Sequence, residues 1–195
     1  MGTKQEVEKR AILRLNQERI LKNKLIKYRA KSVGETFVTD IYFCPNKVKS
    51  FKEIEMDKVG SYSLRIREQK KNKSSQKSIN IKMITNYGDH HSWEEHEIQI
   101  SSLEGAETIL KTIGFKPFCK IEKIRIEFKL GNKNIFFEKI KGFGLGLEIE
   151  ILTTKEKTKA AKLEIDNFLK ILGINNSQIV SKSITNIIMK KRARF

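Results

Sequence analysis

The sequence predicts an α+β fold whose sheet is mainly antiparallel. Three observations carry this. About eight short segments alternate apolar and polar residues with the period of a strand. A few others carry an apolar stripe at helical spacing. The order is a strand, a helix, then a series of strands interrupted by one helix, and most connections are too short for parallel crossovers.

The elements follow in order. Residues 5–15 alternate, with Val7, Lys9, Ala11 and Leu13 on one face and Glu6, Glu8 and Arg10 on the other. Asn16 is placed to cap a helix running to about residue 30, with Ile20, Leu21, Leu25 and Ile26 as its apolar stripe. A short strand is expected over 38–43 and a loop over 45–59. Residues 62–69 alternate again, with Arg65 and Arg67 opposite Leu64 and Ile66. A polar connection over 70–77 leads to a strand over 78–85, where Ile79, Ile81 and Met83 oppose Asn80 and Lys82. A further strand is expected over 93–100. The helix over 103–113 turns Ala106, Ile109, Leu110 and Ile113 inward and ends at Gly114. Strands over 119–130, 133–140 and 145–152 follow, the first two joined at Gly131-Asn132. A long helix over 155–172 stops at Gly173, and a short one is expected over 181–190.

Composition excludes several classes. The 195 residues are 38% hydrophobic with two prolines, which argues against wholesale disorder. No apolar run reaches the roughly 20 residues of a membrane-spanning helix, and the N-terminal residues lack the apolar core of a secretory leader. Two cysteines, Cys44 and Cys119, cannot build a disulfide framework, so reduced thiols in a cytoplasmic protein are expected. The 40 Lys and Arg against 23 Asp and Glu give a net charge of +17, which calls for an anionic partner without saying which.

The strand faces sharpen that charge. Glu6 and Glu8 stand at i, i+2 and so share a side of their strand; Glu148 and Glu150 repeat this, opposite Leu147, Ile149 and Ile151. Arg65 with Arg67, and Lys123 with Arg125, do the same with positive charge. Like charges side by side repel unless something between them needs both. Converging carboxylates suit Mg²⁺ or Mn²⁺, which prefer oxygen ligands. Arg and Lys suit phosphate oxygens. A closed sheet with both sets inside would form a channel for a metal-bound polyphosphate. The spacing of His90, His91 and His96 matches no zinc motif, so a loop and a strand face are expected for them.

These residues, in this order, resemble the CYTH superfamily, the triphosphate-tunnel metalloenzymes. Glu6-Val7-Glu8-Lys9-Arg10 is similar to its N-terminal Glu-x-Glu-x-Lys strand, and Thr39-Asp40-Ile41-Tyr42-Phe43 to its D-x-Y-F/L strand. Ser63-Leu64-Arg65-Ile66-Arg67-Glu68 is similar to its L-R-I-R-E strand, and the strand around Lys82 to its I-x-L-K strand. Gly114-Phe115 and Lys123-Ile124-Arg125 match its L-G-F and K-x-R elements. The run from Phe137 through Glu138 to Glu148-Ile149-Glu150 matches its D-x-V-x-G-L-G-x-F-x-E-I-E ending. Arg10 stands where the family has lysine, Glu138 where it has aspartate, and the strand 93–100 lacks the arginine that relatives often carry there.

The resemblance implies a closed antiparallel eight-stranded barrel with helices packed outside, formed by one domain over residues 1–189 with a basic tail at 190–195. It implies a Mg²⁺ or Mn²⁺ cofactor held by Glu6, Glu8, Glu148 and Glu150, with Glu138 assisting. It assigns triphosphate binding to Arg10, Arg65, Arg67, Lys82, Lys123 and Arg125, and catalysis to Glu6, Glu8, Arg10 and Lys82. The nearest group is the class IV adenylate cyclases, which convert ATP to cyclic AMP and pyrophosphate; relatives there form dimers, so a homodimer is expected. The alternatives are an inorganic or thiamine-type triphosphatase and, from another class, a non-catalytic polyanion- or RNA-binding module.

Overall fold

The computed structural model describes residues 5–54 and 57–192. Their contacts divide the chain into two compact units. The first takes the chain up to Thr36 and again Lys123–Ser181; the second takes Phe37–Glu122 and the chain from Lys182.

In the first unit β1 (Gln5–Leu13) pairs antiparallel with β8 (Gly144–Thr153), and β8 with β7 (Lys133–Ile140). β7 in turn pairs with the last part of β6 (Phe115–Leu130). α1 (Gln17–Lys27) and α3 (Thr158–Leu172) supply the apolar cover. Their inward residues Leu21, Leu25, Ile165, Phe168 and Leu169 share one core with Val7, Ala11, Ile135, Phe137, Leu147 and Ile149. Val7, Ala11, Leu147 and Ile149 lie on the faces that the sequence marks as apolar, so the opposite face of β1 and β8 carries the charges. α1 has Glu18 in its first turn and Lys24 and Lys27 in its last, charges that suit the helix dipole. α3 ends at Gly173, whose φ of 83° is the left-handed conformation glycine adopts without strain.

The second unit is built on β3 (Tyr62–Lys71), β4 (Ser74–Ile84) and β5 (Ser92–Gln99), with the later part of β2 (Lys31–Pro45) beside β3. α2 (Leu103–Thr112) covers one face, joining Ala106 and Leu110 to Phe43, Leu64 and Ile66. Ser102 caps it, its hydroxyl accepting from Gly105 N at 3.0 Å. A last helix, α4 (Ile184–Arg192), belongs to this unit.

The hydrogen-bonded strand order is β5-β4-β3-β2-β6-β7-β8-β1, and β5 also pairs with β1, so the eight strands close. The two-residue strand β9 (Ile179–Val180) adds to β1 at Arg10 and Ala11. This is the closed antiparallel order that the resemblance implies.

Several local expectations are corrected. β2 starts seven residues before the predicted strand at 38, because Lys31–Phe37 is largely exposed and shows no alternation. The polar connection expected over 70–77 shrinks to Asn72-Lys73, with Asn72 at φ 53°, and the flanking polar residues continue the hairpin through backbone pairing. In α1 only Leu21 and Leu25 turn inward, while Ile20 and Ile26 are exposed; in α2 Ile109 and Ile113 are likewise outside. The helix expected from 155 begins with a 3₁₀ turn at Lys155–Lys157. The expected basic tail from 190 begins inside α4, and residues 193–195 lie outside the described residues.

Candidate active site

On the charged face of the first unit, register fixes the neighbours. Glu8 faces Glu150 and Arg10 faces Glu148 across β1 and β8. Asn134 faces Glu150 and Phe136 faces Glu148 across β7 and β8. Arg125 faces Glu138 across β6 and β7. Strand pairing thus gathers residues far apart in the chain on one face.

Glu138 is the hub. Its Oε1 accepts from Arg125 Nε at 2.9 Å and Nη2 at 2.6 Å, and lies 2.6 Å from Lys123 Nζ. Arg10 Nε lies 3.7 Å from its Oε2. Burial pushes this carboxyl up, but Lys123, Arg125 and Arg10 together outweigh burial and hold it well below the ordinary carboxylate range. Glu148 contacts Arg10, and its Oε1 accepts from Arg125 Nη2 at 3.2 Å. The Arg125 guanidinium also lies 4.1 Å from the centre of the Phe136 ring, whose face attracts a cation. Asn134 Nδ2 donates to Glu150 Oε1 at 3.3 Å.

In the second unit Arg67 forks onto Asp40, Nε to Oδ1 at 2.6 Å and Nη2 to Oδ2 at 3.0 Å. The carboxylate of Asp40 is fully buried, and this two-point grip compensates its loss of water. Arg65 Nη1 lies 3.4 Å from the Tyr42 hydroxyl. Burial, aided by Asp40, raises the Tyr42 phenol against the lowering effect of Arg65 and Arg67. Arg65 Nη2 lies 3.8 Å and Lys82 Nζ 4.0 Å from Glu95, which also accepts from Asn80.

The structure therefore brings Arg10, Lys123, Arg125, Glu138 and Glu148 into one network, with Glu8 and Glu150 facing each other on the same sheet face. It brings Arg65, Arg67 and Lys82 into a second network within their own unit. Glu6, on the same side of β1 as Glu8, is buried. Asp40, Tyr42 and Glu95 were absent from the sequence-derived site. Asp40 and Tyr42 lie within a family-like strand whose partners the sequence does not show; Glu95 stands at i, i+2 with Glu97, beside Glu94, and that acidic spacing is the signal that could have found it. His90 bonds Asp57 at 2.7 Å and the exposed His96 bonds Glu94 at 3.0 Å, the loop and strand-face roles expected of them.

The carboxylate-rich face suits a hard divalent cation by donor chemistry. Two buried carboxylate oxygens, Glu138 Oε2 and Glu148 Oε2, have no hydrogen bond but are both faced by the Arg10 guanidinium. Among the described residues no three His, Cys, Asp or Glu side chains converge so as to hold a metal ion, and Glu138 and Glu148 are engaged by Arg10, Lys123 and Arg125. The oxygen donors suit such an ion in kind, and in the arrangement seen here Arg10, Lys123 and Arg125 take the place of one at Glu138 and Glu148.

The family model for the CYTH domain matches residues 4–184. The chain belongs to the CYTH domain family. A Methanocaldococcus jannaschii protein named "Putative adenylate cyclase" is 32% identical over 170 residues, covering 83% of this chain and 89% of that protein. The CYTH fold of this chain is also that of the PH1819 protein from Pyrococcus horikoshii, at a TM-score of 0.81 and 20% identity, covering 95% of this chain and 99% of that one. A Hippeastrum protein named "Putative adenylyl cyclase", whose structure is described as revealing a dominant triphosphatase activity, is similar at a TM-score of 0.63 and 16% identity, covering 96% of this chain and 95% of that one. Among the described residues no helix is long and apolar enough to cross a membrane.

Proposed function

We propose that this CYTH protein is a divalent-metal-dependent enzyme acting on triphosphates, with class IV adenylate cyclase-like chemistry on ATP as its activity. The observation that carries this reading is the charged face of the first unit, where paired carboxylates and buried bases share one surface. The named relative from Methanocaldococcus supports the cyclase form.

In this reading Glu6, Glu8, Glu148 and Glu150 hold Mg²⁺ or Mn²⁺, and Glu138 assists through its oxygen that lacks a hydrogen bond. The metal, when bound, supplies charge neutralisation at phosphate oxygens. Arg10, Lys123 and Arg125 bind phosphate from the first unit, and Arg65, Arg67 and Lys82 are phosphate contacts of the second. Glu138 orients Lys123 and Arg125, so that these bases meet the charge that spreads over the phosphate without first having to be ordered. In the cyclase reaction the ribose 3′-oxygen bonds to the α-phosphorus as the bond to pyrophosphate breaks.

A triphosphatase is the second reading, favoured by the activity described for the Hippeastrum protein. There water attacks the terminal phosphorus. Incubation with ATP and Mn²⁺ followed by product separation decides between them. Cyclic AMP and pyrophosphate support the cyclase, and ADP with phosphate supports the hydrolase. No turnover of ATP, tripolyphosphate or thiamine triphosphate with either metal overturns both.

A further inference from the structure

Glu95 stands out within the second unit. It sits on β5 directly opposite Lys82 of β4, and Lys82 is opposite Ser63 of β3. Its carboxylate lies 3.8 Å from Arg65 Nη2 and 4.0 Å from Lys82 Nζ, two of the bases proposed to bind phosphate. It also accepts a hydrogen bond from Asn80, which faces Arg65 in register. Asp40 also touches Arg65, but Asp40 is fully buried and gripped at two points by Arg67, so it belongs to the framework. Glu95 differs in its exposure and in lacking a two-point guanidinium grip in its contacts with Arg65 and Lys82. Its side chain keeps 21% of its exposure, its oxygens lie 3.8 Å and 4.0 Å from Arg65 and Lys82, and it also accepts from the neutral amide of Asn80.

A carboxylate and a phosphate offer a guanidinium and an ammonium the same thing, namely charged oxygens as acceptors. We infer that Glu95 is a built-in counter-anion of the phosphate site, a specificity-determining residue that occupies Arg65 and Lys82 until a more highly charged polyphosphate displaces it. Asn80 is the latch that holds it there. Both the displacement of its contacts and its repulsion of an incoming anion weaken binding. Weakly charged anions therefore leave these bases closed, while a triphosphate opens them. The inference rests on the assignment of Arg65 and Lys82 as phosphate contacts.

The test is calorimetric titration of inorganic tripolyphosphate, in EDTA so that no metal contributes, into the wild type, Glu95→Gln and Glu95→Ala, with circular dichroism confirming that each is folded. Glu95→Gln keeps the shape and the amide contact while removing the charge; Glu95→Ala removes both. The expected result is binding roughly tenfold tighter in both variants, the usual scale for removing one like charge from a partly desolvated ion site. Wild-type binding with equal or weaker binding in both variants makes Glu95 an organiser of the bases and overturns this inference alone. If none of the three proteins binds tripolyphosphate, the inference falls together with the assignment of the phosphate contacts.

Discussion

Arg125 holds Glu138 through two nitrogens across the β6–β7 pair, at 2.9 and 2.6 Å, while the same guanidinium reaches Glu148 on β8 at 3.2 Å. One side chain thereby ties three strands together on the charged face. Glu138 also receives Lys123, so a single buried carboxylate balances two close cations and faces a third in Arg10.

Glu138→Gln should destabilise the protein by about 3–5 kcal/mol near neutral pH, because it removes the buried anion that Lys123 and Arg125 share. The pH dependence follows from the direction of the shift. The folded carboxyl lies well below the ordinary glutamate value, so its stabilisation is complete above that ordinary value and is lost as pH falls toward the folded value. Urea unfolding of wild type and variant from pH 7 downward should show a gap that is constant to about pH 5 and narrows in acid. A gap that does not change with pH would mean that the charge of Glu138 is not what holds the network.

Glu8 and Glu150 face each other in register, where like charges disfavour pairing unless a cation lies between. In the proposed reading Mn²⁺ binds there, and an ion that binds only the folded chain would stabilise it by mass action, about 2.7 kcal/mol at a hundredfold excess over its dissociation constant. The wild type should therefore melt at a higher temperature with Mn²⁺ than with EDTA. Glu8→Gln and Glu150→Gln should each lose most of that rise. Equal rises in all three proteins, read by differential scanning calorimetry, would place the metal elsewhere.

Arg67→Lys tests the fork on Asp40. Lysine keeps the charge but offers one point where arginine offers two, leaving a fully buried carboxylate oxygen short of a donor. A loss of about 1–3 kcal/mol in chemical denaturation is expected. An unchanged midpoint would show that water or a neighbour replaces the second bond.

Much of this arrangement was legible in the chain. The alternation in β1 and β8 is sharp, since Val7, Ala11, Leu147 and Ile149 must pack against helices while Glu6, Glu8, Glu148 and Glu150 cannot. Ion-pair partners were not legible, because period two says which side a residue takes but not which strand lies beside it. The grip of Arg67 on Asp40 and the seat of Glu95 are products of register between segments far apart in sequence. The first half of β2 was missed for a related reason: it is held by backbone pairing with little burial, and so leaves no hydrophobic period to read.

The helix faces show the opposite failure, in which apolar residues overstate the core. Ile109 and Leu110 are adjacent on α2, yet Leu110 is 4% exposed and Ile109 63%. The helix can bury only the stripe that meets β3 and β4, and Ala106 with Leu110 at i, i+4 defines it. Leu110→Ala should then cost about 2–5 kcal/mol, the range for emptying a buried leucine site. Ile109→Ala should stay within about 0.5 kcal/mol of wild type, since it removes little buried surface and alanine favours the helix. Paired thermal and urea unfolding of the two variants checks this directly. A large loss from Ile109→Ala would mean that this face of α2 is covered in solution, by a second copy of the chain or another partner.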